Sequence, residues 1–595
     1  MKKKTLIGMM LLASPTITMA QNIIYPTPPS DNTVDKYFGI EVNDPYRPLE
    51  SDTAQATLAW VKAENKITTD YLSKIPFRAK LLNRMKELAN YEKYSAPWYN
   101  KHTQKWYFYR NNGLQNQSVL YVMNRLGDEK KAQIFLDPNK LSTDGTVALK
   151  SISFSNNGKY AAYAISRSGS DWQEFYVIDT NSGKLLNDHI KWAKFSNAAW
   201  LGDGFYYSAY DAPSPGNELS NVNSVQKIYY HKIGTPQSED ILFYQNPEQP
   251  MRFYTLGVNE DETMMFLIES GAGQGNGLYV RNLKQEGSQF IQLNANLEAQ
   301  CNPIKTIGDK IYILTNEKAP TNKLVVTDIH HPSKADWKTV IPANSNVLED
   351  VAFVDGKLIL TYMQDAYSHS YLYSIDGKQL KEIKLPTVGS ASFTGNYERP
   401  EVFYSFTSFT EPTSVYQYNV NTNTSTTYTS PKVKFDKNKF VSEQVYITSK
   451  DGTKVPVFLT YKKGLKRNGK NPLLLYAYGG FGISLTPSFS SVRLPFIENG
   501  GIYAMACLRG GNEFGEAWHL AGTKMNKQNV FDDFISAAEY LIKEKYTSKD
   551  FLAIQGGSNG GLLIGACMTQ RPDLYKVCIP QVGVMDMLRY HKFTI

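Results

Sequence analysis

The chain has 595 residues, 42% of them hydrophobic and 20% charged, a globular composition that excludes both a disordered chain and a multi-span membrane protein. At about 100–200 residues per domain, that length calls for two to four domains. Lys and Arg outnumber Asp and Glu by 64 to 56, and this small excess, with no dense basic block, gives no sign of nucleic-acid binding.

The first predicted element is a leader. Lys2, Lys3 and Lys4 precede an apolar run over residues 6–13 that is too short to span a bilayer, and Thr18-Met-Ala20 offers a small-x-small cleavage site. Residues 1–20 are therefore expected to be a signal peptide that exports the protein to the periplasm or beyond. Removing them takes away three lysines and no acid, so the net charge falls from +8 to +5. Residues 21–91 then carry helical spacing at 54–72 (Ala54, Leu58, Val61, Ile67, Tyr71) and 78–90 (Leu81, Leu82, Met85, Leu88).

From about residue 92 to 433 one theme returns, a short aromatic or β-branched strand ending near a turn. Seven copies are centred on Tyr121, Tyr176, Tyr229, Tyr279, Val325, Tyr373 and Tyr416, spaced 43 to 55 residues apart. That period is the one expected of four-stranded propeller blades, so seven blades are predicted. The pairs Asn157-Gly158, Asp203-Gly204 and Asp355-Gly356 sit where hairpins need positive φ. A total of 40 Tyr and 28 Phe supplies rings for packing between blades.

After residue 434 the pattern changes to strands alternating with a helix. A hairpin around Asp451-Gly452 leads to strands at 472–476 and 502–507, a helix over 530–543 and a strand at 551–555. This alternation indicates a doubly wound, mostly parallel α/β sheet. The last strand runs into Gly556-Gly-Ser-Asn-Gly-Gly561 and then an apolar helix, the strand–turn–helix setting of a nucleophile elbow. Glycines flank Ser558 because so tight a turn leaves no room for Cβ atoms. The serine is thereby lifted to a helix N-terminus, whose dipole favours developing negative charge. The backbone N–H of Asn559 is one donor for an oxyanion. A second could come from Tyr478-Gly-Gly-Phe481, although spacing alone leaves Tyr478 equally a core aromatic.

Together with Arg509-Gly-Gly-Asn-Glu-Phe-Gly515, Lys527-Gln-Asn-Val-Phe-Asp-Asp-Phe534 and Asp44-Pro-Tyr-Arg47, these motifs resemble the prolyl oligopeptidase family over nearly the whole chain after the leader. The resemblance implies an α/β-hydrolase domain at 434–595 capped by an inserted seven-bladed propeller at 92–433, with residues 21–91 packed on the hydrolase. It implies a serine endopeptidase that cuts oligopeptides after proline, with the propeller as a size filter. Ser558 is then the nucleophile, Tyr478 and Asn559 form the oxyanion site, and Phe481 and Val584 line the proline pocket. Two positions depart from the family pattern: Pro48 stands where Trp is usual, and Asn512 where glycine is common.

In an α/β-hydrolase the acid and the histidine follow the serine in chain order. Asp586 and His591 are the acid–histidine candidates after Ser558, but both precede the strands that normally carry these roles. The triad partners are therefore expected beyond residue 595, with the chain truncated before its chemistry is complete, lacking practical activity and leaving an open sheet edge. The competing readings are a sister peptidase of different specificity and a non-enzymatic peptide-binding propeller. Cys301, Cys507, Cys567 and Cys578 lack the spacing of a disulfide framework or a zinc site and read as buried hydrophobes. No metal or organic cofactor is implied. The expected partners are proline-containing peptides, with no nucleic acid and no membrane, and the chain is expected to be a monomer.

Overall fold

The computed structural model describes residues 23–216, 218, 222–271 and 273–592, and the expected signal peptide lies outside them. The chain divides into two compact units, one reaching Arg84 and one running from Met85. In the first, Phe38 and Gly39, both at positive φ, turn a hairpin of Val34–Tyr37 on Ile40–Asn43. Arg47 reaches back to the Asp44 and Asp35 carboxylates and fixes the Asp44-Pro-Tyr-Arg47 turn. The helices Gln55–Ser73 and Arg78–Ala89 fall within one residue of the apolar spacing that predicts them.

In the second unit, all seven repeat segments are strands, and each is third in an antiparallel run of four. The sheets nonetheless differ from the seven separate blades expected. Five stand alone, four with four strands and one with five, while the strands of the second and third repeats share one eight-stranded sheet. The join is one residue pair, Ala193 opposite Ala209, where the ten-residue strand Leu185–Lys194 meets Gly204–Ala209. Both alanines are buried, so no bulky side chain stands between the two strands at that point.

The aromatic residues also work in a way that the repeat does not predict. Tyr121, Tyr176, Tyr229 and Tyr416 each stack on an aromatic directly opposite in their own sheet, with ring centroids 5.5, 5.6, 5.8 and 5.0 Å apart. Other rings bridge sheets, as in Tyr107–Phe154 at 4.7 Å and Tyr312–Phe353 at 5.0 Å. Trp106 and Phe108 of the first sheet share a core with Phe403 and Val415 of the last, which closes the propeller without leaving free blades. Asn157-Gly158 and Asp355-Gly356 take the turn positions expected of them. The third turn is displaced by one residue: Gly202 takes the positive φ and Gly204 opens the strand, where a Cβ would lie 2.3 Å from the His231 carbonyl.

The hydrolase part holds a six-stranded sheet in the order Phe440–Thr448, Lys454–Lys462, Ile502–Ala506, Leu473–Tyr476, Leu552–Gly557, Val577–Gln581. The first two strands form the hairpin turned at Asp451-Gly452 and pair antiparallel, Lys454–Lys462 also pairs antiparallel with Ile502–Ala506, and the three remaining neighbour pairs are parallel. Period-two alternation divides the side chains between two cores. Leu473, Leu475, Ile502 and Ala504 face the helices Gln528–Lys543 and Asn559–Gln570, whereas Leu474, Tyr476, Tyr503 and Met505 face the short helix Leu494–Glu498. Phe409 and Ala366 of the propeller share that second core, and Asp365 accepts hydrogen bonds from Gln444 Nε2 and Tyr446 OH, both at 2.6 Å.

Candidate active site

The strand Leu552–Gly557 ends at Ser558, and the helix Asn559–Gln570 starts at the next residue, three positions before Leu562, where the apolar run begins. Ser558 takes φ 56° and ψ −117° and is exposed, while Asn559 and Gly560 on its far side are buried. The flanking glycines are obligatory. A Cβ at Gly556 would stand 2.4 Å from the Gly560 carbonyl oxygen, and one at Gly561 would stand 2.5 Å from that of Gln581. The Ser558 amide donates to the Gln581 carbonyl at 2.9 Å, which ties the turn to the neighbouring strand. The Asn559 amide lies in the first turn of the helix, where no i−4 carbonyl exists for it, so it is available to an incoming oxygen.

The strand Leu473–Tyr476 delivers Tyr478-Gly-Gly-Phe481 against that turn. Asn559 Nδ2 donates to the Tyr478 carbonyl at 2.7 Å, and a Cβ at Gly560 would touch Tyr478 Cα and Cδ2 at 3.5 Å. Tyr478 and Asn559 are thus brought together beside Ser558, and Tyr478 is only partly buried. Phe481 takes φ 55° and is 77% exposed, while Val584 is 42% exposed on the segment whose Gly583 packs against Gly561. Both residues are open apolar surface next to the Ser558 turn.

Asp586 and His591 do not complete a triad. The Asp586 carboxylate accepts from the amides of Leu588 and Arg589 and pairs with the Arg589 guanidinium at 3.3 Å, while the His591 ring packs edge-on against Tyr590. Among the described residues, neither Asp586 nor His591 hydrogen-bonds Ser558. His519 hydrogen-bonds Glu516 at 3.3 Å, in keeping with a packing role. Cys301, Cys507 and Cys567 are buried free thiols, and Cys578 is partly exposed.

Three polar groups at the site were not assigned roles from the sequence. Arg509 is buried and forks onto the fully buried Asp533 with contacts of 2.5–3.2 Å, while Nη1 reaches Asp451 at 2.5 Å. The guanidinium holds the Asp451 carboxyl down to about 2. This network clips the loop after Ile502–Ala506 to the Gln528 helix and to the first hairpin. Lys527 donates from Nζ to the Gly479 carbonyl at 2.8 Å and to Asn559 Oδ1 at 3.1 Å. Glu513 is buried, accepts from the Leu485 amide at 2.8 Å and is pushed up to about 8, chiefly by burial. The one sequence signal for these residues is that each stands inside a motif of the resemblance.

A family model described as "Prolyl oligopeptidase, N-terminal beta-propeller domain" matches residues 25–431, and one described as "Prolyl oligopeptidase family" matches residues 487–595. The chain belongs to the prolyl oligopeptidase family. With that membership goes the enzyme class, a serine endopeptidase. The chain is 47% identical over 572 residues to a prolyl endopeptidase of Elizabethkingia meningoseptica, covering 96% of this chain and 80% of that one. It is 35% identical to prolyl oligopeptidase A of Amanita bisporigera, at the same two coverages. Among solved structures, prolyl oligopeptidase B of Galerina marginata bound to a 35-residue hydrolysis and macrocyclisation substrate superposes with a TM-score of 0.89 at 33% identity, covering 96% of this chain and 84% of that one.

Proposed function

We propose that this protein cleaves short peptides on the carboxyl side of proline through an acyl-enzyme on Ser558. The observation that carries this reading is the exposed serine on a strained turn, with the Asn559 amide and the Tyr478 turn packed against it. Ser558 Oγ adds to the scissile carbonyl carbon as its proton passes to a general base, and the displaced electron pair collects on the carbonyl oxygen. That oxygen is met by the Asn559 N–H and the Tyr478 hydroxyl, donors aimed where charge develops. Collapse of the intermediate expels the amine, which takes up the proton held by that base, and leaves the acyl group on Ser558. Phe481 and Val584 supply apolar surface for the proline ring, and the propeller admits extended peptides while excluding folded ones. Residues 1–20 direct export.

A fluorophosphonate probe tests the nucleophile: mass mapping is expected to find the adduct on Ser558 and none in Ser558→Ala. A peptide panel varied at the residue before the cut tests specificity. Cleavage that prefers a residue other than proline, or an adduct on another serine, would overturn the assignment.

A further inference from the structure

Lys527, directly before the helix Gln528–Lys543, contradicts its local surroundings in two ways. The positive end of the helix dipole disfavours a cation there. The side chain is also drawn into the protein, where burial pushes its ammonium down to about 8, and no ion pair offsets that cost among the described residues. Such local conflicts concentrate at functional sites.

The ammonium bridges the two elements that supply the proposed oxyanion donors. Its bonds to the Gly479 carbonyl at 2.8 Å and Asn559 Oδ1 at 3.1 Å join the Asn559 Nδ2 bond to the Tyr478 carbonyl at 2.7 Å. Lys527, Asn559 and the Tyr478 turn therefore form one closed set of contacts, one residue away from the nucleophile. We propose that Lys527 is a positioning residue for the oxyanion site: it clamps Asn559 to the Tyr478 turn and leaves an unneutralised positive charge beside the developing oxyanion. This inference rests on Ser558 being the nucleophile. Because the negative charge exists only once Oγ has added to the carbonyl, the effect falls on the tetrahedral state and spares ground-state binding.

The test compares a short peptide aldehyde ending in proline with the matching alcohol. The aldehyde carbon accepts Ser558 Oγ, whose proton leaves to a base or solvent as the π pair moves to oxygen, giving a tetrahedral hemiacetal oxyanion; the alcohol cannot react. Wild-type protein is expected to bind the aldehyde more tightly, and Ser558→Ala to lose that preference. Lys527→Met is expected to lose about 10- to 100-fold of the aldehyde-to-alcohol ratio while alcohol affinity stays within about twofold. Lys527→Gln keeps a donor without the charge and is the second variant, read by the same ratio. An unchanged ratio in both variants, or equal loss of both ligands, would overturn the role of Lys527 alone. Absence of any aldehyde preference in the wild type would overturn the nucleophile, and the role of Lys527 with it.

Discussion

Ser558 holds a backbone conformation, φ 56° with ψ −117°, that costs a residue with a Cβ about 1–3 kcal/mol. The strain persists because the turn is fixed from both sides, by the hydrogen bond that the Ser558 amide donates to the Gln581 carbonyl and by the tight approaches around Gly556, Gly560 and Gly561. Replacing the side chain separates chemistry from strain. Ser558→Ala removes the hydroxyl but keeps the Cβ, whereas Ser558→Gly removes both and suits positive φ. We expect Ser558→Gly to be more stable than Ser558→Ala by about 1 kcal/mol after allowing for the greater freedom of glycine in the unfolded chain. Denaturant midpoints measure the difference, and a more stable alanine variant would show that the turn stores no such strain. The glycines of this turn could be read in the sequence because their cause is local. Lys527 could not, because its partners lie 48 and 32 residues away and its position looks like an ordinary helix boundary.

Within the eight-stranded sheet, a buried histidine joins the two halves. His231 on Lys227–Lys232 places its ring nitrogens 2.7 Å from Asp240 and 3.0 Å from Asp188, and Asp188 lies on Leu185–Lys194 of the other half. Burial alone would lower the imidazole pKa, but hydrogen bonds to the two carboxylates prevail and push it up to about 9. A folded value above the ordinary 6.5 means that this stabilisation is whole below about pH 6.5 and is lost as pH rises through 9. His231→Gln leaves two buried carboxylates without their cation and should cost about 3–5 kcal/mol at pH 6. Between about pH 7 and pH 9.5 its thermal midpoint should fall less steeply than that of the wild type. Equal slopes would exclude His231 as the source. The strand carrying His231 was legible, because a period near 49 residues is a property of the chain itself, whereas the strand carrying Asp188 fell outside the repeated segment. The Ala193–Ala209 pairing and the Asp188–His231 contact were not legible, since each depends on how one repeat docks on the next.

Propeller and hydrolase meet through the core around Phe409 and Phe458 and through a few polar contacts, among them the Glu516 amide donating to the Pro320 carbonyl at 2.7 Å. Glu513 lies three residues before that contact, inside the protein. One carboxyl oxygen accepts from the Leu485 amide, and the other is buried with no hydrogen-bond partner among the described residues. Burial, with a smaller contribution from the propeller residue Glu349, pushes the carboxyl up to about 8. The folded chain therefore keeps a proton on Glu513 that the unfolded chain releases near the ordinary value of 4.5. Stability from this group is full below about pH 4.5 and lost as pH rises through 8, where ionisation also sets like charges against each other across the two domains. Glu513→Gln keeps the shape and the acceptor for Leu485 but cannot ionise. Its thermal midpoint should match the wild type near pH 5 and exceed it near pH 9, by a few kcal/mol of stability. A glutamine variant less stable than the wild type at pH 9 would show that the ionised carboxylate is accommodated, and that rising pH does not loosen the junction through Glu513.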